Sequence, residues 1–119
     1  MAAQGRGHGR VAVTGGEVVT IALSGSYGKP RPALVIQSDL FNELVSLTIL
    51  PITSELRDAP LIRIPLQPES SNGLRMPSQV MIDKIQTVPR GKVGKVIGAL
   101  SDDQMVAVTR SLAVFLGMA

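Results

Sequence analysis

Cysteine and tryptophan are both absent from the 119-residue sequence, and histidine occurs once. Without cysteine the chain forms no disulfides and has no thiol chemistry, which fits a reducing compartment such as the cytoplasm. The single histidine, His8, lies in a glycine-rich stretch that offers no rigid support for a catalytic group. These absences argue against a Ser-His-Asp triad and against a metal site built on clustered His, Cys or carboxylate ligands.

Long apolar runs and aromatic side chains are also scarce. No window approaches the ~20 apolar residues that a membrane-spanning helix needs, so no membrane association is predicted. Tyr27, Phe41 and Phe115 are the only aromatic residues, whereas proteins that bind single-stranded nucleic acid usually use several for stacking. The 12 basic and 9 acidic residues give a net charge of +3, which permits RNA binding without requiring it.

Composition divides the chain into two parts. Residues 1–14 are rich in glycine and arginine, which predicts a disordered N-terminal extension. Residues 15–119 predict one domain, in which short apolar segments alternate with glycine and proline at spacings of about ten residues. The predicted strands are 17–23, 33–36, 47–50, 61–64, 79–87 and 95–98, with a brief helical turn at 40–44. Pro51 and Pro65 are expected to end the strands before them. This pattern favours a small antiparallel sheet or barrel.

One helix is predicted at residues 101–116. Ser101 and Gln104 form a capping-box pattern at its start, and Gly117 stands where a helix commonly ends. Its core-facing positions are Met105, Val108, Leu112 and Phe115 or Leu116. Residues 112–116 are apolar almost all round, which suggests burial on two sides, as at a subunit interface.

The residues Lys29-Pro30-Arg31-Pro32 lead directly into a predicted strand. The flanking prolines fix the local backbone, so Arg31 is held stiffly at the start of that strand. A planar, permanently charged guanidinium at such a place is a good phosphate clamp. A solvated arginine beside a turn explains the same pattern equally well.

Two further segments place polar groups beside apolar strands. Thr53 and Ser54 follow a strand, where hydroxyl groups more often cap turns than take part in catalysis. Asp83 and Lys84 interrupt an apolar strand, which indicates either a cleft or the solvent face of an edge strand. Hydroxyls, carboxylates and arginines together suit cleavage of RNA, whose 2′-hydroxyl supplies the nucleophile.

The series GEVVTIAL, GKPRPALVIQSDLFN, LPITSEL, NGLRMPSQVMIDKIQTVPR and KVIGALSDDQM resembles the MazF/PemK/Kid family of toxins from bacterial toxin–antitoxin systems. The blocks RPALVIQSD and PITS are the most diagnostic, and the resemblance runs from about Gly15 to Gly117. It implies a mainly β fold with a C-terminal α-helix, an SH3-like (CcdB/PemK-like) small antiparallel β-barrel that works as a homodimer.

The resemblance also implies an activity and a partner. The family members are cytoplasmic, metal-independent endoribonucleases that use no cofactor and cut single-stranded mRNA at short sequences. Attack by the 2′-hydroxyl leaves a cyclic phosphate and a 5′-hydroxyl, and loss of mRNA inhibits translation and growth. The implied partner is a cognate antitoxin with a disordered, often acidic tail that covers the RNA groove.

Site residues follow from the resemblance by position. Arg31 and Thr53 match the catalytic residues of the R-P and PITS blocks, and Asp83 is a second candidate for the general base. The residues implied to contact RNA are Tyr27, Gly28, Lys29, Ser54 and Lys84. Gln86 stands where relatives usually carry arginine, and the loop SGSYGKP lacks their acidic or histidine residue, which leaves the base preference open.

Two alternative functions remain at the level of the sequence. One is a CcdB-like DNA gyrase poison on the same fold, but members of that type rely on a C-terminal tryptophan, and this chain has none. The other is an RNA-binding module without catalysis, for which Tyr27 alone makes a poor stacking platform.

Overall fold

The computed structural model describes residues 13–22 and 29–119. Most of the predicted extension at 1–14 lies outside the described residues, as do Tyr27 and Gly28. Val13, which is described, is buried in the core, and the backbone N–H of Thr14 donates a 2.6 Å hydrogen bond to the Glu17 carboxylate. The domain boundary at residue 15 stays a prediction.

One antiparallel sheet contains all seven strands of the described ranges. The strands are β1 (Glu17–Ile21), β2 (Arg31–Val35), β3 (Ser46–Thr53), β4 (Arg63–Leu66), β5 (Ser78–Met81), β6 (Gln86–Pro89) and β7 (Val93–Ala99). Their order is β4-β5-β3-β2-β1-β7, and β6 also pairs with β3. The path is open, because β4 and β7 do not pair with each other in the described part of the chain. The predicted mainly antiparallel β fold is confirmed.

The central strand β3 is buried on both faces. Leu47 and Ile49 belong to one apolar cluster, together with residues of β1 and β2. Leu50 and Ile52 belong to a second cluster, which includes Val108 of the C-terminal helix. Because both faces of β3 are covered, its sequence LTILPIT is an almost continuous apolar run.

Pro51 and Pro65 do not end strands, so that prediction was wrong. Pro51 lies inside β3, at the point where the strand changes its neighbour from β6 to β5. A missing N–H costs no sheet hydrogen bond there. Pro65 lies inside β4, an edge strand, where an absent donor is tolerated.

The single strand predicted at 79–87 is in fact two strands separated by a 3₁₀ turn, Ile82–Lys84. Ile52 of β3 pairs with Val80, and Ile49 pairs with Gln86. A shift of three residues along β3 therefore corresponds to a shift of six residues from β5 to β6, and the 3₁₀ turn accommodates the three extra residues. Apolar residues flank Asp83 and Lys84 on both sides, with Ile82 before them and Ile85 after them, and this made the segment look like one strand.

The predicted C-terminal helix, α1, spans Asp102–Phe115. Its start confirms the capping box: the backbone N–H of Gln104 donates to Ser101 Oγ, and that of Ser101 donates to Gln104 Oε1. Gly117 has φ +76° and ends the helix as predicted. The predicted turn near residue 40 is the 3₁₀ helix Asp39–Phe41.

Candidate active site: a groove at the ends of two strands

Arg31 and Thr53 lie at the adjacent ends of two paired strands. Arg31 is the first residue of β2, and Thr53 is the last residue of β3. The pairing of β2 with β3 ends at Ala33 and Pro51, two residues from Arg31 on one strand and two residues from Thr53 on the other. Beyond that point Arg31 pairs with β1 and Thr53 pairs with β5. The register therefore joins the two diagnostic blocks of the sequence at one place.

Both residues line a groove of about 820 Å³, called the strand-end groove below. Its walls come from β1, β2, β3 and β7 and from the segment between Gly73 and Ser78. Pro51, Ile52 and Thr53 all contact it, so the groove curves around the end of β3 and is not confined to one face of the sheet.

The guanidinium of Arg31 is open to a ligand. The residue is exposed, and the structure shows no hydrogen bond or ion pair for its side chain within residues 13–22 and 29–119. Pro30 and Pro32 restrict the backbone on both sides. An arginine fixed in this way, with its charge uncompensated, is suited to bind a phosphate with two parallel hydrogen bonds.

Thr53 is half-buried, and its hydroxyl is oriented by the chain that follows. Thr53 Oγ1 accepts a 3.0 Å hydrogen bond from the backbone N–H of Glu55. This is the turn-capping role that the sequence offered as an alternative. It leaves the hydroxyl proton free to donate, so capping and phosphate binding are compatible. Ser54 is exposed and also lines the groove.

Asp83 lies elsewhere and has a partner. It does not line the strand-end groove, and its carboxylate accepts from Nη1 of Arg63, a buried residue of β4. Burial raises the pKa of Asp83, but the hydrogen bond and charge of Arg63, with help from Lys84, outweigh it and hold the pKa below its ordinary value. A carboxylate that is already paired and weakly basic is poorly suited to act as a general base. That role for Asp83 stays a prediction.

Two other residues predicted to contact RNA, Lys29 and Lys84, do not line the strand-end groove. Lys29 is exposed next to Pro30 of the groove wall, but it does not itself line the groove. Lys84 is exposed in the turn beside Asp83, also outside the lining. Arg31, Thr53 and Ser54 are therefore the predicted site residues that the described structure brings together.

Five polar residues of the groove were not predicted from the sequence: Thr20, Glu55, Arg75, Ser78 and Lys95. Arg75 lies in NGLRMPS, between a glycine and a proline, much as Arg31 does between two prolines. That similarity was a usable signal. Thr20 and Lys95 lie in strands with no distinguishing neighbours, and only the fold shows that they face the groove.

The described ranges contain no group of three or more His, Cys, Asp or Glu residues placed to hold a metal ion. Within the same ranges, α1 is too short and too polar to cross a membrane, and no other helix meets the length required.

The family model for PemK-like, MazF-like toxins of type II toxin–antitoxin systems matches residues 14–116. This chain belongs to that family. The predicted family is thereby confirmed, and the match includes both Arg31 and Thr53.

Individual relatives agree with this assignment. The chain is 46% identical over 105 residues to a probable endoribonuclease MazF of Mycolicibacterium smegmatis, covering 87% of this chain and 96% of the relative. It superposes on the Mycobacterium tuberculosis toxin MazF-mt6 with a TM-score of 0.75 at 27% identity, covering 87% and 98% of the two chains. A mycobacterial endoribonuclease solved with its cognate antitoxin gives a TM-score of 0.76 at 20% identity, over 91% and 98%. The predicted barrel-like fold is confirmed, and endoribonuclease, the predicted enzyme class, is the class that these MazF relatives are named for.

Proposed function

We propose that this MazF-family chain is a sequence-specific endoribonuclease that cuts single-stranded mRNA in the cytoplasm without a metal ion, and so inhibits translation and growth. The observation that carries the proposal is that Arg31 and Thr53 line one open groove at the adjacent ends of β2 and β3. An exposed guanidinium and a hydroxyl in the same groove supply a permanent positive charge and a hydrogen-bond donor. Those are the groups that a phosphodiester needs when its charge increases during cleavage.

The reaction begins with the 2′-hydroxyl of the substrate. Its oxygen bonds to the adjacent phosphorus, the bond from phosphorus to the 5′-oxygen breaks, and a 2′,3′-cyclic phosphate and a 5′-hydroxyl result. The proton leaves the 2′-oxygen for solvent or a base, and the 5′-oxygen gains one. Arg31 stabilises the negative charge of the pentacoordinate state and donates to the departing oxygen. Thr53 hydrogen-bonds a phosphate oxygen or orients the attacking hydroxyl.

The antitoxin is proposed to cover the same groove. Within the described part of the chain, the groove lining contains three cationic residues, Arg31, Arg75 and Lys95, and one carboxylate, that of Glu55. This excess of positive charge suits both RNA and a disordered acidic tail. A solved mycobacterial endoribonuclease of this fold is in complex with its cognate antitoxin, which supports an antitoxin as partner.

A homodimer is proposed from the apolar end of α1. Val106, Val114, Phe115 and Leu116 are each 45–57% exposed in the single chain, although the sequence predicts burial for residues 112–116. A second copy would cover them. Sedimentation of the parent protein should give twice the mass of one chain, and Val114→Glu should give one. A monomeric parent at micromolar concentration would refute this part of the proposal.

The activity is tested with end-labelled single-stranded RNA in excess EDTA. The proposal predicts discrete fragments with 5′-hydroxyl and cyclic phosphate ends, and no cleavage of the same strand with 2′-O-methyl riboses. Cleavage that EDTA abolishes would contradict the metal-free mechanism. Intact RNA with a retarded gel band would favour an RNA-binding module, and DNA breaks that require gyrase would favour a gyrase poison.

A further inference from the structure

Two more cationic residues line the strand-end groove, Arg75 and Lys95. Both are exposed. Within residues 13–22 and 29–119, neither side chain has a hydrogen bond or an ion pair with another residue. They therefore share with Arg31 the property that makes it a candidate ligand for phosphate, namely a positive charge that the fold leaves uncompensated.

The backbone that carries Arg75 is held on both sides. Asn72 is 1% exposed, and its Oδ1 accepts a 2.9 Å hydrogen bond from the backbone N–H of Leu74. On the other side, Ser78 Oγ donates a 2.8 Å hydrogen bond to the carbonyl of Met76. Arg75 therefore stands on a fixed segment, and its guanidinium loses less freedom on binding than one on a loose loop.

This segment also lies unusually close to β7. A Cβ atom on Gly73 would come within 2.1 Å of the Ile97 carbonyl oxygen, and one on Gly98 within 2.4 Å of the Asn72 backbone. Gly73 also has φ +72°. Glycine at both positions is thus required for backbone contact, and the contact brings the wall that carries Arg75 against the strand that carries Lys95.

Lys95 is placed relative to Arg31 by the strand order. The backbone N–H of Lys95 donates a 3.1 Å hydrogen bond to Thr20 Oγ1, and Thr20 pairs with Pro32, the neighbour of Arg31. Two strand spacings therefore separate Lys95 from β2, a distance of about 10 Å. At that separation, Lys95 and Arg31 are better placed to bind two different phosphates of an extended RNA strand than to bind the same phosphate.

We propose that Arg75 and Lys95 bind backbone phosphates of the RNA next to the scissile phosphate held by Arg31 and Thr53. The inference rests on the proposed function, because it takes single-stranded RNA as the ligand of the groove. The two residues position the strand by charge and do not read its bases. RNA is taken as the ligand because the same groove holds Arg31 and Thr53, the proposed catalytic residues, and an acidic peptide is tested as the alternative occupant.

The test measures how strongly RNA binding depends on salt concentration in the parent protein and in variants of the two residues. Parent, Arg75→Gln, Lys95→Gln and the double variant bind a fluorescent single-stranded RNA whose riboses are all 2′-O-methylated, so that it cannot be cut. Each lost phosphate contact should lower the slope of log K against log salt by about 0.7. Each should also weaken binding by up to about fivefold, as expected for exposed ion pairs. The charge-retaining variants Arg75→Lys and Lys95→Arg should restore the parent slope.

Lys92→Gln is the matched control. Lys92 is an exposed lysine three positions before Lys95 and does not line the groove, so its replacement should leave the slope unchanged. On cleavable RNA, the groove variants should raise KM with kcat within about twofold, since the contacts form in both ground and transition states. Thermal unfolding midpoints should match the parent.

Other outcomes separate the possible failures. Unchanged slopes in both groove variants, or an equal change in Lys92→Gln, would overturn the inference. Weaker binding of a polyglutamate peptide with an unchanged RNA slope would overturn it in favour of an acidic protein partner. If the parent binds but cuts no RNA, while the slopes still fall as stated, the proposed catalytic function fails and the phosphate positions stand.

Discussion

Arg31 and Arg63 occupy the same place in their strands, because each is the first residue of an antiparallel strand. Their surroundings are opposite. Arg31 is exposed and has no partner within the described residues, whereas Arg63 is 6% exposed and pairs with Asp83. The comparison teaches that the charge which the fold leaves unpaired is the one available to a ligand, while the paired charge stabilises the fold.

The local sequence only partly explains this difference. Pro30 and Pro32 hold Arg31 at the surface, whereas Ile62 and Ile64 draw Arg63 toward the second apolar cluster. The partner that neutralises Arg63 comes from a turn that follows the next strand, β5. A buried guanidinium without such a partner would be strongly unfavourable.

The largest effect is expected from Arg31→Gln. Removing a preorganised charged donor should slow RNA cleavage by about 100- to 1,000-fold, with an unfolding midpoint close to that of the parent, because the Arg31 side chain has no hydrogen bond or ion pair within residues 13–22 and 29–119. Arg31→Lys keeps the charge but loses the planar fork, and should recover part of the rate. Single-turnover cleavage and thermal unfolding measure the two quantities. A stability loss as large as the activity loss would remove the contrast with Arg63.

Asp83→Asn should act in the opposite way. It leaves the buried cation of Arg63 without a charged partner, which should lower the free energy of unfolding by about 2 kcal/mol, between the values for exposed and buried pairs. Urea titration measures the loss. Cleavage by the folded variant then distinguishes a structural role for Asp83 from a role as the general base. If the role is structural, as we expect, the cleavage rate stays near that of the parent. A loss of 100-fold or more would instead support Asp83 as the general base.

Thr53→Val should slow cleavage by about tenfold, because one hydrogen bond to the phosphate or the nucleophile is lost. Thr53→Ser keeps the hydroxyl and should retain most of the activity. Since Thr53 also accepts from the Glu55 N–H, the valine variant should be slightly less stable as well. Equal activity in the valine and serine variants would show that the hydroxyl takes no part in the reaction.

The smallest effect concerns pH. Because the pKa of Asp83 is lowered in the folded protein from 3.8, its ionisation stabilises the fold fully above that value. The contribution disappears as the pH falls from about 5 through the lowered pKa. The difference in unfolding free energy between parent and Asp83→Asn should therefore shrink over this range. A difference that stays constant down to pH 2.5 would contradict the assignment of the pair.

The sequence predicts best those features that depend on local hydrogen bonding. Ser101 and Gln104 locate the start of α1 because a capping box involves only neighbouring residues. Pro51 and Pro65 were wrongly predicted to end strands, because a proline disrupts a strand only where the neighbouring strand needs a hydrogen-bond donor. That depends on the pairing partner, which the local sequence does not reveal.

The candidate site shows the same limit. The blocks KPRP and PITS identified Arg31 and Thr53, and the register of β2 and β3 explains why two distant blocks belong to one site. The sequence left Asp83 open between a cleft and a solvent-facing edge strand, because its ion partner, Arg63, lies in another strand. The local sequence did not identify Arg75 and Lys95 as site residues. They line one groove because β7 lies against the segment around Gly73, a contact between distant parts of the chain.

The account's central claim is that Arg31 and Thr53 act on one phosphate. A double-mutant cycle tests it most directly, with single-turnover cleavage rates for the parent, Arg31→Gln, Thr53→Val and the double variant. Residues that act as a unit give strongly non-additive losses. We therefore expect the double variant to cut RNA almost as fast as Arg31→Gln alone. Losses that multiply, about a further tenfold in the double variant, would show that the two residues act independently and would contradict the claim.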